Sequence, residues 1–492
     1  MSHTGIKNRA RLDSLPAEIT RNILSCLKEN TDLLYDDLSE INESDFQDRF
    51  ALVSRNHRSA SLVNRAVGPW GQDLLFHSSV LYPSHSLWWS MQHTHRLALF
   101  ARTLLERRDL GAKVRQLTIF VPGRTRAGIM SWDAEEEEGT VTTVLKQAAT
   151  YIESLPVPKK LSISWAKKLW KKYPYSLIGV ILSLVSNVKN VTLVLDTEVT
   201  PDDGVELLCT CFGIRPASAR NLGHLQRIGV LSSVESLTVR GPSPAAMAGL
   251  EHFPGIRDLH LRLEFRPIRR AGLKPGWLNS IPNVSNFRNV TKLRLDVQLV
   301  PMSFFASNTT PEEYFGPLLS TFESLKHLDL SDGPRDNDRE YENMSAAHIL
   351  QHFSNPFQLL SLKLPRKLAG SRMLTATMKG FVNLGRLTAP FCAIVNKDLD
   401  TFATLPESLQ HLVLHDSIFD TVPCVMGLLQ KKMAGETSTE LRTIDLCFAA
   451  SFTNNSLKLL REGEMFPNLG TKAAAAGVRL TLNKVVPDAE HE

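Results

Sequence analysis

The chain has few cysteines. Cys26, Cys209, Cys211, Cys392, Cys424 and Cys447 are scattered over 492 residues, too sparse for a disulfide framework, so a reducing compartment, cytoplasmic or nuclear, is expected. Long apolar runs are also missing. The longest, Leu177 to Val185, is broken by Gly179 and Ser183 and falls far short of the roughly 20 residues a membrane helix needs, so no membrane span is expected. The basic N-terminus runs into Leu12-Asp-Ser-Leu-Pro16 rather than an apolar stretch, which argues against a secretory signal. Charge of one sign is lacking as well: a formal net charge of +5 predicts no nucleic-acid partner. Catalytic patterns are absent. Gly123-x4-Gly128 lacks the Lys-Ser/Thr ending of a phosphate loop, and there is no Gly-x-Ser-x-Gly elbow. Cys209-x-Cys211 and His93-x-His95 each offer two metal ligands without a second pair at usable spacing. Neither an enzyme nor a cofactor is expected.

What the sequence does contain is a phrase that recurs: Phe, two residues, an aliphatic, two residues, Leu, one residue, an apolar residue. It reads Phe253 to Leu261, Phe287 to Leu295, Phe322 to Leu330 and Phe381 to Ala389, with a shorter copy, Leu359-Leu-Ser-Leu362-Lys-Leu364. From Ile256 the successive steps are 34, 35, 34 and 25 residues, a period that signals a repeat array. Side chains alternate along a strand, so each Leu-x-Leu points two apolar residues inward and the middle residue out. The outward positions are His260, Arg294, Asp329, Lys363 and Thr388. The interval between phrases can hold a helix and its turns, so each repeat is read as one strand plus one helix, buried by stacking on its neighbours.

Further copies lie at Val114-Arg-Gln-Leu117-Thr-Ile119, Val188 to Leu193, Val234 to Val239, Leu409 to Leu414, Leu441 to Leu446 and Val478 to Leu482. About ten repeats are expected in all. The pattern resembles a leucine-rich repeat array of the long, irregular kind. Arrays of that family carry Asn or Cys three residues after the last Leu of the phrase. Only Ala389-Pro-Phe-Cys392 does so here, which predicts variable bends. Asp332 to Asp338 and Ser303 to Pro311 read as insertions between repeats, suited to partner contacts.

A helix is expected over residues 13 to 28: Asp13 or Ser14 can cap it, Pro16 suits its first turn, and Ile19, Ile23, Leu24 and Leu27 share a face. It opens with Leu15-Pro-Ala-Glu18-Ile19 and is followed by Ser61-Leu-Val-Asn-Arg65 and by Leu74-Leu75-Phe76-His77. Together these phrases resemble an F-box of the fungal form. Either residues 39 to 60 are an insertion in that module, or Leu52-Val-Ser-Arg55 supplies its central phrase. A helix bearing Leu97, Phe100, Ala101, Leu104 and Leu105, ending near Arg107, Arg108 and Gly111, then leads into Val114. Many fungal F-box proteins pass into their repeats in this way.

The resemblance implies a Skp adaptor as partner, and through it a cullin. Leu15, Pro16, Ile19, Ile23 and Leu62 would lie at or just behind the adaptor interface, while His260, Arg294, Asp329 and Lys363 would face a protein target. Glu135 to Glu138 reads as a solvated loop. Lys159, Lys160, Lys167, Lys168, Lys171 and Lys172 alternate with Trp165, Trp170, Tyr173 and Tyr175. That strip reads either as a surface for phosphates, anionic membrane or an acidic partner, or as a solvated helix face whose tryptophans pack inward.

The expected fold class is α/β: a short N-terminal helical F-box-like module followed by an irregular leucine-rich-repeat solenoid of parallel strands and helices. The expected divisions are a disordered start (1–11), the module (12–80), a linker helix (81–113), the array (114–486) and a disordered tail (487–492). The function implied is substrate recognition in a Skp-cullin-F-box ubiquitin ligase. The alternative is an adaptor-independent repeat scaffold with a degenerate F-box as its cap.

Overall fold

The computed structural model describes residues 68–81, 89–121, 135–171, 173–195, 211–214, 224–225, 229–230, 232–241, 255–264, 287–298, 319–332, 350, 355–364, 378–396, 401–402, 405–417, 421–436, 439–448 and 465–484. The chain divides into two compact units, one of residues 1–198 and 206–235, the other of residues 199–205 and 236–492. The fold is α/β. Among the described residues, twelve strands pair in parallel.

The first unit holds three parallel strands, β1 (Ser78–Leu81), β2 (Gln116–Val121) and β3 (Asn190–Leu195). Helix α1 (Gly68–His77) carries the Leu-Leu-Phe-His phrase and runs straight into β1. The phrase search missed β1 because Ser78-Ser-Val-Leu81 has no Leu-x-Leu. Its backbone nevertheless joins the series, since the Arg115 N–H donates to the His77 carbonyl at 2.9 Å. Helices α2 (Trp89–Glu106) and α3 (Arg108–Gly111) cross from β1 to β2. The predicted stripe on α2 turns inward, with Leu97, Ala101 and Leu104 fully buried.

Among the described residues, three helices cross from β2 to β3: α4 (Glu135–Ser154), α5 (Lys159–Lys171) and α6 (Tyr173–Leu184). The four glutamates at 135–138 therefore open a helix rather than forming a loop.

The α5 and α6 helices clasp residues 211–214. Trp165 is wholly buried, donates its indole N–H to the Ser176 carbonyl at 3.3 Å and meets the Phe212 ring edge-on at 5.3 Å. Ser164 Oγ donates to the Gly213 carbonyl at 2.7 Å, and Lys168 Nζ to the Ile214 carbonyl at 3.1 Å. Two glycines make this approach possible. A Cβ on Gly179 would stand 2.1 Å from the Cys211 carbonyl oxygen, and one on Gly213 2.3 Å from the Trp165 Cα.

Among the described residues, the second unit holds nine parallel strands, an arrangement compatible with a repeat array: β4 (Ser236–Gly241), β5 (Asp258–Glu264), β6 (Lys292–Gln298), β7 (His327–Asp332), β8 (Ser361–Lys363), β9 (Arg386–Pro390), β12 (His411–Ser417), β13 (Thr443–Phe448) and β14 (Arg479–Lys484). Between β9 and β12 lie a short helix α7 (Phe391–Ile394) and an antiparallel pair, β10 (Val395–Asn396) with β11 (Thr401–Phe402). Helices α8 (Thr421–Met433) and α9 (Met465–Ala475) make the last two crossovers. The first leucine of each phrase aligns across the strands, and Leu259, Leu293, Leu362, Leu387, Leu412 and Ile444 are completely buried. Complete burial of one such side chain is worth about 1.5–3 kcal/mol. Of the phrase-opening phenylalanines, Phe287, Phe322 and Phe381 are buried, and Phe287 and Phe322 stack at 5.1 Å.

Where the Asn or Cys signature after the strand is missing, polar side chains ahead of the strand reach back to the preceding repeat. Asn187 and Asn383, each just ahead of its aliphatic anchor, donate from Nδ2 to the Ala112 and Phe357 carbonyls at 2.9 and 2.7 Å, and Ser233 and Ser408 make the same reach from Oγ. Every one of these bonds ties a repeat to its predecessor. The backbone repeats the pattern: the carbonyls of Arg257, Thr291, Lys326, Leu360, Gly385 and Gln410 each accept two N–H groups from the next repeat. At Cys392, the single position matching the expected signature, the chain bends through α7.

Candidate functional site

Because alternate side chains leave the leucine face, the second unit presents ordered rows of outward residues. Strand register places Thr238, His260, Arg294, Asp329, Lys363 and Thr388 side by side. All four predicted target-facing residues thus fall on consecutive strands. At about 4.8 Å per strand, His260 to Lys363 spans roughly 14 Å. The row closes beyond them, since Thr388 and Val413 are each only 7% exposed while the four predicted residues stay half-open.

Sequence reasoning did not single out the adjacent row. The residue ahead of each Leu-x-Leu also points outward, so Asp258, Lys292, His327, Ser361, Arg386 and His411 align beside the first row. The signal was present in the phrase itself, one position before its first leucine.

Ion pairs cross between strands. Lys363 Nζ lies 3.2 Å from Asp329 Oδ2, Lys292 Nζ 3.0 Å from Asp258 Oδ2, and His411 Nε2 2.6 Å from Asp445 Oδ2. The His411–Asp445 contact is part-buried and is an ion pair only when the imidazole is protonated; the two lysine–aspartate pairs are partly solvated, and pairs of that kind contribute about 0–1 kcal/mol, so they orient side chains rather than hold the fold. Across the two rows, Lys292, Arg294, Lys363, Arg386 and Arg479 stand against Asp258, Asp329 and Asp445, leaving the face basic. His327 responds to that field. Partial burial first, then the neighbouring Lys292 and Lys326, push its imidazole below its ordinary range, and Asp258 opposes the shift only in part.

The other predicted residues are placed as follows. Leu15, Pro16, Ile19, Ile23 and Leu62 lie outside the described residues, as do Cys209, Gly123, Gly128 and the loops at 303–311 and 333–338. Cys211 is buried beside Gly179. Among the described residues no three His, Cys, Asp or Glu side chains gather as metal ligands, and no helix is long and apolar enough to cross a membrane. Of the aromatic strip, Trp165 packs inward as the plainer reading expects, whereas Trp170 is half exposed. No protein-family model matches the chain, and no curated protein matches it.

Proposed function

We propose that the chain is the substrate-recognition subunit of a Skp-cullin-F-box ubiquitin ligase. Its N-terminal phrases would engage the adaptor, and the basic strand face would hold a protein target. The observation that carries the target half is the open stretch from His260 to Lys363, flanked by Lys292, His327 and Arg386. A face on which Lys292, Arg294, Lys363 and Arg386 outnumber Asp258 and Asp329 suits an acidic or phosphorylated segment, which guanidinium groups bind through paired hydrogen bonds. Rate enhancement would come from proximity alone: the receptor raises the local concentration of a target lysine beside activated ubiquitin and supplies no reactive group.

The test is co-expression with a Skp adaptor and size-exclusion chromatography of the wild type and an Ile19→Asp, Ile23→Asp variant. Co-elution of the wild type, lost in a variant with unchanged circular dichroism, is expected. A wild type that elutes without the adaptor sinks the ligase reading.

That second outcome would favour the scaffold alternative, for which one feature speaks. Helix α1 closes directly onto β1, Asp73 pairs with Lys113, and Phe76 stacks on Phe100 at 6.1 Å. Such contacts would suit an element that caps a repeat array.

A further inference from the structure

Helix α5 has two chemically opposed faces. At about 100° of rotation per residue, its buried arc carries Leu161, Trp165 and Leu169. Lys159, Lys160, Ile163, Lys167 and Trp170 crowd into roughly 100° of the opposite arc, and all five are exposed. Ile163 and Trp170 are 53% and 50% exposed, the largest exposures of large apolar side chains among the described residues of the first unit. Two tryptophans five residues apart on one helix thus have different fates: Trp165 is core, and Trp170 is presented to solvent among lysines.

The charge around this face is one-sided. Residues 154–195 contain seven lysines and no arginine, aspartate or glutamate. Lys168 is engaged with the Ile214 carbonyl and Lys189 with Glu235, so among the described side chains the lysines left on the exposed arc are Lys159, Lys160 and Lys167, beside Ile163 and Trp170. The exclusive use of lysine discriminates between partners. Protein interfaces are enriched in arginine and depleted in lysine, and bidentate capture of a carboxylate or phosphate needs the guanidinium fork. Lysine is a hydrated point charge on a long apolar stem. It suits a diffuse negative surface, where the stem lies along apolar material and the ammonium reaches the headgroups. Tryptophan suits the same boundary, with an apolar ring and one polar N–H.

We propose that the exposed face of α5 is a peripheral docking surface for an anionic lipid bilayer. The helix would lie in the plane of the headgroups, Ile163 and Trp170 entering the interface and Lys159, Lys160 and Lys167 contacting anionic lipid. This is independent of the ligase reading.

The full chain would be sedimented with phosphatidylcholine vesicles, with and without phosphatidylserine. The wild type is expected to pellet only with phosphatidylserine and to be released by raised salt. Lys160→Gln with Lys167→Gln should lower the partition coefficient about thirtyfold, the loss expected from two charges at an anionic surface. Trp170→Ala should weaken binding in low salt and high salt alike. Both variants alter solvent-facing positions, and unchanged thermal melts would show that they fold. No pelleting of the wild type, equal pelleting with both vesicle types, or a double variant that binds as the wild type does would each overturn the proposal. Retention on an immobilised glutamate-rich peptide without vesicle binding would assign the face to an acidic protein instead.

Discussion

Replacing Gly213 with alanine tests the clasp between α5, α6 and residues 211–214. Two separate penalties apply. Gly213 has φ +68°, a left-handed conformation that costs an L-residue roughly 1–2 kcal/mol. The added Cβ would also stand 2.3 Å from the Cα and 2.7 Å from the N of Trp165. Those are backbone atoms of α5 and cannot swing aside, and overpacking of this kind costs about 1–3 kcal/mol. The sum is roughly 2–5 kcal/mol. Two other glycines separate the contributions. Gly435 has φ +74° with nothing within 4 Å of its would-be Cβ, so Gly435→Ala should cost only the conformational part, about 1–2 kcal/mol. Gly427 sits inside α8 with the same open space, so Gly427→Ala should stabilise by about 0.5–1 kcal/mol. Guanidinium unfolding, followed by circular dichroism and tryptophan fluorescence, reads all three. If Gly213→Ala costs no more than Gly435→Ala, the claim that 211–214 is wedged against Trp165 is refuted.

Leu293→Ala and Leu362→Ala, both at fully buried positions, should each cost about 2–5 kcal/mol in the same unfolding experiment. Asn383→Ala removes the bond to the Phe357 carbonyl and should cost about 1 kcal/mol, while Val382→Ala beside it, 58% exposed, should stay within about 0.5 kcal/mol of wild type; equal effects would dismiss the pre-strand ladder as a source of stability. For His327, whose folded-state pKa is depressed, the unfolded chain takes up the proton first. Its contribution is therefore complete above the ordinary histidine value near about 6.5 and is lost as pH falls below it. Imidazole titration by NMR should show the depression lessened in Lys292→Met, and no change there would remove Lys292 as a cause.

The array was legible because its chemistry repeats. Each Leu-x-Leu that became a strand announced itself by period and alternation, and the outward residues followed from the same alternation, so His260, Arg294, Asp329 and Lys363 could be named without coordinates. β1 escaped because Ser78, Ser79 and Val80 carry no repeat signature; only the hydrogen bond between Arg115 and His77 enrols it. The helix opened by Glu135 was read as a loop because an acidic run looks solvated until its place at a helix start is known. The ladder of Asn187, Asn383, Ser233 and Ser408 stands ahead of the strand, outside the post-strand position that defines the Asn or Cys signature, so the phrase does not point to it. Nothing in the spacing of Trp165 and Trp170 separates core from surface; that required knowing which arc of α5 meets Phe212.

The strand register of the second unit holds while the chain between strands varies freely in length. From Leu237 to Leu259 is 22 residues and from Ile444 to Leu480 is 36, yet both pairs sit directly opposite one another. Lengthening a flexible connection costs little, about 0.6 kcal/mol per doubling, and from Arg257 to Arg442 the pre-strand carbonyls re-establish alignment. Such a chain can acquire new segments by insertion during evolution without disturbing the rows already in place. Grafted peptides placed in these crossovers should be tolerated on the same grounds.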